Sequence, residues 1–166
     1  TNENWYLGDT YNISIGQGDL VVSPLWINSY ISAIANGGTM YKPSVVNRIV
    51  DNSKNPIRVF QPDALGRLPF KDEVIREVKR DMQETVLSGT AKLLSGLPVT
   101  AGAKTGTAEV VKNTSINSLF TAFAPFENPE GAITILIEGA ASNEGHATRT
   151  AYDFLKWYFD PNRKTQ

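Results

Sequence analysis

The stretch AGAKTGTAEV, residues 101–110, decides both the fold and the chemistry that this chain can support. Side chains alternate along an extended strand, so Lys104 and Gly106 face one way. Thr105 and Thr107 then face the other way. A ligand served by both Lys104 and Thr105 must therefore lie along the edge of the strand, where backbone N–H and C=O groups are free.

The residue types in this strand suit a peptide that ends in a carboxylate. Lys104 supplies positive charge, and Thr105 supplies a hydroxyl. Gly106 leaves room for a ligand backbone, and the N–H of Thr107 could help to stabilise an oxyanion. A purely structural strand remains an open alternative at this point, because threonine favours strands whatever their function.

The composition narrows the classes of function. The chain has 166 residues, of which 41% are hydrophobic and 20% are charged, as in an ordinary single domain. Its formal net charge of −1 provides no basic field, so we predict no nucleic-acid partner. With one histidine, His146, and no cysteine, we predict neither a metal site nor a cofactor. Ala103 separates Gly102 from Lys104, which rules out a Walker phosphate loop.

The pattern of apolar residues and turn residues predicts an α+β domain, in which an antiparallel sheet packs with helices. Residues 1–22 are predicted to form a loop with extended pieces. Ser23, Pro24 and Gly37–Gly38 mark the two ends of a helix. The other predicted elements are a hairpin within 42–60, a long helix over about 73–94, strands at 103–111, 117–126 and 132–139, and a last helix over about 147–159.

Three segments together resemble one known family. Lys-Thr-Gly on a strand is one of three motifs of the penicillin-recognising serine enzymes, alongside Ser-x-x-Lys and a Ser-x-Asn triplet. The surrounding sequence resembles the class B penicillin-binding proteins over roughly residues 5–159, and Gly-Gln-Gly at 16–18 resembles the elongation-type penicillin-binding protein 2. The segments that carry the resemblance are GDTYNISIGQGDLVVSPLWINSYISAIANGGTMYKP (8–43), SGTAKLL (88–94) and FTAFAPFENPEGAITILIEG (120–139).

The resemblance implies part of a serine β-lactamase-like transpeptidase fold, and a D,D-transpeptidase that cross-links peptidoglycan by serine acyl transfer. It implies that Lys104 supplies positive potential, and that Thr105 and the Thr107 hydroxyl hold a substrate carboxylate beside Gly106. The Thr107 N–H would join the oxyanion hole. The implied partners are stem peptides ending in D-Ala–D-Ala, β-lactams and a membrane glycan polymerase. The implied location is the periplasmic face of the cell membrane, with an anchor in an upstream segment.

The nucleophile that this chemistry needs is absent from the 166 residues, because no Ser-x-x-Lys occurs in them. Two Ser-x-Asn triplets occur, Ser53-Lys54-Asn55 and Ser115-Ile116-Asn117, but both follow the Gly-Gln-Gly segment that the motif precedes in the family. We interpret both as unrelated to the motif. We therefore expect residues 1–166 to be the C-terminal portion of a single transpeptidase domain, inactive without its upstream part.

Two other interpretations stay open. A binding or scaffolding module on the same fold would keep the strand without catalysing a reaction. A β-lactamase or D,D-carboxypeptidase of the same superfamily would hydrolyse its ligand, although the Gly-Gln-Gly segment argues against this.

Overall fold

The computed structural model describes residues 4–18, 21–111, 115–140 and 145–163, without the side chains of 109–111. The helices in this part of the chain are α1 (Leu7–Ser14), α2 (Pro24–Ala35), α3 (Asp72–Leu87) and α4 (His146–Tyr158), with a 3-10 turn at Lys92–Gly96. The strands are β1 (Thr39–Tyr41), β2 (Arg48–Val50), β3 (Pro56–Val59), β4 (Ala64–Arg67), β5 (Gly102–Val111), β6 (Ser115–Ala124) and β7 (Gly131–Ala140).

The main sheet has the order β5-β6-β7, and both strand pairs are antiparallel. Lys104 lies opposite Thr121, and Thr107 lies opposite Ser118. The shorter strands pair in two separate ribbons, β1 with β4 and β2 with β3. The predicted α+β class with an antiparallel sheet is confirmed, as are the three long strands and the 42–60 hairpin.

Helices cover both faces of the sheet. On one face α4 packs on β6 and β7, and on the other face α2 packs on the same two strands. The first face buries Phe120, Ala122 and Leu155, and the second buries Phe123 against Ile31 and Ile34. The position of the sheet between two helical layers follows from β-strands with apolar residues on both faces.

Helix α2 begins and ends where the sequence predicts. The Ser23 hydroxyl accepts a hydrogen bond from the N–H of Trp26, and Pro24 occupies the first helical position. The chain leaves the helix through Gly37 and Gly38, whose φ angles are +86° and +114°. The positive φ of Gly38 favours glycine, and a Cβ there would lie 2.8 Å from Cδ1 of Ile75, so that methyl group would also have to move.

Lys79 of α3 contacts the C-terminal end of α2 and two aromatic rings. Its Nζ donates to the carbonyl of Ala35 at the C-terminus of α2, over a distance of 3.0 Å. The same ammonium lies 5.6 Å from the ring centroid of Phe123 and 5.2 Å from that of Phe126. Burial lowers the pKa of Lys79, and the charge of Glu127 opposes this effect.

Two predicted elements differ from the structure. Residues 7–14 form helix α1, where a loop with extended pieces was predicted, because Asp9 accepts the Tyr6 N–H at 2.7 Å and organises the first turn. Helix α3 ends at Leu87 and does not continue to residue 94, because the chain tightens at Gly89 and the N–H of Ala91 turns back to Thr85. Within the described residues, no helix combines the length and apolar character needed to cross a membrane.

Candidate active site

The Lys-Thr-Gly-Thr segment lies in the middle of β5, at one border of the sheet. Alternate residues of an antiparallel strand direct their backbone groups to the same border, so Thr105 and Thr107 share one. The carbonyl of Thr105 accepts from Lys104 Nζ at 2.5 Å, and the carbonyl of Thr107 accepts from Gln17 Nε2 at 3.2 Å. Since β6 pairs along the opposite border, these two carbonyls face away from the sheet.

Lys104 reaches this open border from the face of the strand. Its side chain is exposed, and its ammonium group folds over the strand to the carbonyl of the following residue. The positive charge and the Thr105 side chain can therefore approach one ligand, although they leave the strand on opposite faces. The structure thus supplies the wrapping geometry that a shared ligand would need.

The hydroxyl of Thr105 has a partner that the sequence interpretation did not assign. Its Oγ1 lies 2.8 Å from Oγ1 of Thr90, which follows the end of α3. Either hydroxyl can be the donor in this bond. Thr90 belongs to the SGTAKLL segment, so the family resemblance was the only sequence feature that pointed to it.

Glycine occupies positions 102 and 106 of β5 for different physical reasons. A Cβ on Gly102 would lie 2.5 Å from Cζ of Phe123, so packing of the core requires glycine there. A Cβ on Gly106 would lie 3.5 Å from Cβ of Leu119, which is an ordinary contact. Packing within this chain therefore does not require glycine at 106, whereas a ligand backbone lying close to the strand would.

Gln17 also meets the site, although the sequence interpretation gave it no role there. Gly16 and Gly18, with φ angles of +73° and +90°, turn the chain on either side of it. The N–H of Gln17 donates to the carbonyl of Asn12 at 2.9 Å, which fixes the turn against α1. The side-chain amide then reaches the exposed residue Thr107 of β5.

The two Ser-x-Asn triplets have structural roles away from this border. The N–H groups of Ser53 and Asn55 both donate to Asp51 in the turn between β2 and β3. These bonds, that from the Asn55 N–H above all, lower the pKa of Asp51. Asn117 lies in β6, where its Oδ1 accepts the N–H of Gly139. In the part of the chain that the structure describes, no three acidic or histidine side chains cluster as a metal site would need.

Comparison with known proteins places this fold and this strand in one family. Residues 1–156 match the model of the penicillin binding protein transpeptidase domain. The chain is 32% identical over 145 residues to penicillin-binding protein 2A of Bacillus subtilis, covering 78% of this chain. It is 28% identical over 173 residues to the peptidoglycan D,D-transpeptidase MrdA of Escherichia coli, covering 91% of this chain.

A solved structure of the same family has a similar backbone. Penicillin-binding protein A of Mycobacterium tuberculosis, solved as an imipenem acyl-enzyme complex, gives a TM-score of 0.68 at 29% identity, over 84% of this chain and 33% of the other. The chain belongs to the penicillin-binding protein transpeptidase family. It spans 20% and 27% of the lengths of the B. subtilis and E. coli relatives.

Proposed function

We propose that this chain forms the substrate-gripping part of a peptidoglycan D,D-transpeptidase of the elongation type, and that residues 1–166 are the C-terminal portion of its domain. The observation that carries the proposal is the open border of β5. There the Lys104 ammonium, the Thr105 side chain and the backbone of Thr107 are all within reach of one extended ligand.

In the proposed reaction, a serine outside these 166 residues attacks the carbonyl carbon between the two D-alanines of a stem peptide. The peptide C–N bond breaks, the terminal D-alanine leaves with a proton on its nitrogen, and an acyl-enzyme remains. An amine of a neighbouring stem then attacks the ester, forms the cross-link and releases the serine. Both additions place negative charge on the carbonyl oxygen, which needs donors positioned for it.

Each of these residues of β5 has a separate role in the proposed reaction. Thr105 donates its hydroxyl to the terminal carboxylate, and Lys104 supplies positive potential beside it. The Thr107 N–H stabilises the oxyanion, while its hydroxyl is a further donor to the carboxylate. Gly106 lets the peptide backbone approach the strand.

The proposal extends to ligands, partners and location. A β-lactam resembles the acylated dipeptide and would trap the same serine, as imipenem forms an acyl-enzyme with the M. tuberculosis relative. The parent protein would act at the periplasmic face of the membrane, held by an upstream anchor. A membrane glycan polymerase would supply the strands that it cross-links.

The test uses the longer protein that contains this chain, treated with a fluorescent penicillin. We expect the unmodified protein to form a stable covalent adduct. Lys104→Ala should form it at least about 100-fold more slowly, by analogy with the loss of one preorganised oxyanion donor. Lys42→Ala, an exposed lysine away from the border, should acylate normally. Rapid hydrolysis of the penicillin would indicate a β-lactamase, and failure of the unmodified protein to acylate would indicate a non-catalytic module.

A second arm tests the division of the domain. Residues 1–166 alone should form no covalent adduct, because they lack the Ser-x-x-Lys pair. A stoichiometric adduct in the intact mass of this chain would contradict the proposed placement of the nucleophile.

A further inference from the structure

Thr90 sits in a tightly held turn between α3 and the 3-10 turn at Lys92–Gly96. A Cβ on Gly89 would lie 2.9 Å from the backbone Cα of Thr85, so this turn closes only with glycine. On the other side of Thr90, Ala91 is fully buried and its N–H donates to the carbonyl of Thr85 at 3.0 Å. The backbone of Thr90 is therefore fixed by both of its neighbours, while its own side chain remains exposed.

From this fixed position the Thr90 hydroxyl meets the Thr105 hydroxyl at 2.8 Å. A bond between two hydroxyls uses one of the two O–H donors, so the pair keeps one donor for a ligand. If Thr90 donates, the proton of Thr105 is free to donate to a ligand, and the oxygen of Thr105 is held in one staggered rotamer. In that arrangement the hydroxyl of Thr105 is oriented before any ligand arrives.

We propose that Thr90 is a positioning residue, which sets the rotamer and the proton direction of Thr105 for a ligand carboxylate. The inference rests on the proposed function, in which Thr105 grips the C-terminal carboxylate. Thr90 acts through Thr105, so its contribution exists only while the Thr105 hydroxyl is present and only for ligands that carry the carboxylate.

The experiment measures second-order acylation rates of the longer protein with two thioester substrates, one with a free C-terminal carboxylate and one with a C-terminal amide. Thr90→Val removes the hydroxyl and keeps the shape, and Thr90→Ser keeps the hydroxyl. Thr85→Val is the matched control, because its hydroxyl donates within α3, to the carbonyl of Asp81. Thermal unfolding of each variant is recorded alongside.

We expect Thr90→Val to slow acylation by the carboxylate substrate about 3- to 10-fold, the range for one lost hydrogen bond, with little change for the amide substrate. Thr90→Ser should restore the rate, and Thr85→Val should leave it unchanged. Thr90→Val should add no further loss to Thr105→Val, because the two residues act as one unit.

Other results would distinguish a failure of this positioning role from a failure of the proposed function. Equal slowing of both substrates, or additive losses in the double variant, would assign Thr90 a structural role and overturn the inference alone. The same holds for an unchanged rate in Thr90→Val when Thr105→Val is slow. If Thr105→Val is as fast as the unmodified protein on the carboxylate substrate, the proposed carboxylate site itself is wrong.

Discussion

The main sheet and helix α1 both carry many large apolar side chains, but they place them differently. In the sheet, Phe120 and Phe123 are completely buried between the helical layers. In α1 no residue is buried, and Leu7 and Tyr11 are 66% and 63% exposed. The difference indicates that the sheet and its helices hold most of the folding free energy of this chain, whereas the first segment leaves apolar surface exposed.

The largest expected effect tests the buried side of this comparison. Phe123→Ala should lower the free energy of unfolding by about 3–5 kcal/mol, because it leaves a cavity between the sheet and α2. Tyr11→Ala should change it by no more than about 0.5 kcal/mol, because the side chain is mostly exposed. Urea unfolding of the two variants of this chain measures both values, and similar losses would contradict the comparison.

A smaller effect separates packing from ligand contact within β5. Gly102→Ala should destabilise the chain by about 1–3 kcal/mol, since the new methyl group meets the ring of Phe123. Gly106→Ala has room for its methyl group, so the unfolding midpoint should stay close to that of the parent chain. In the longer protein, however, Gly106→Ala should slow acylation by penicillin. A destabilised Gly106→Ala variant with a normal acylation rate would reverse the interpretation of this glycine.

A further prediction concerns the exposed apolar side chains of α1. We expect residues 1–166 alone to associate and to bind a dye specific for apolar surfaces. Leu7→Ser combined with Tyr11→Ser should reduce dye fluorescence with little change in stability, because these side chains share one face of α1. Light scattering and dye titration measure the two effects. A parent chain that stays monomeric and binds no dye would show that this surface needs no partner.

The smallest effect concerns the turn between β2 and β3. The pKa of Asp51 should lie below the ordinary value of 3.8, because the N–H groups of Asn55 and Ser53 and the Asn55 side chain donate to it. A lowered pKa stabilises the fold above the ordinary value, and this stabilisation is lost as pH falls through the folded-state pKa. Carbon-detected NMR titration measures it. Asn55→Ala should move the pKa back towards 3.8, and an unmoved value would assign the shift to the backbone donors alone.

Local patterns were sufficient for most of the fold. Ser23 and Pro24 at the start of α2, and the alternation in β7, identify their elements without knowledge of distant contacts. Helix α1 was missed because Thr10, Asn12 and Ile13 are poor helix formers and no apolar stripe is buried. The sequence pattern does not predict the end of α3 at Leu87, because apolar residues continue through the following turn, which requires glycine at position 89.

The candidate site likewise contains some residues that the sequence predicts and others that only the fold brings together. Lys104, Thr105 and Thr107 follow one another on a single strand, so the sequence could bring them together as a hypothesis. Thr90 and Gln17 lie 15 and 90 residues from their partners on β5. Thr90 and Gln17 reach β5 because α3 and the turn after α1 pack against the sheet. Neither the spacing of these residues in the sequence nor their residue types predicts this packing.

The strand at the other border of the sheet has a consequence for handling the protein. β7 offers ten residues of backbone, with no proline among them, and in the described residues only β6 is paired with it. Such an uncovered ladder can recruit a further strand from any chain that supplies one. Two copies of this polypeptide stored at high concentration would thus be prone to pair through their β7 strands.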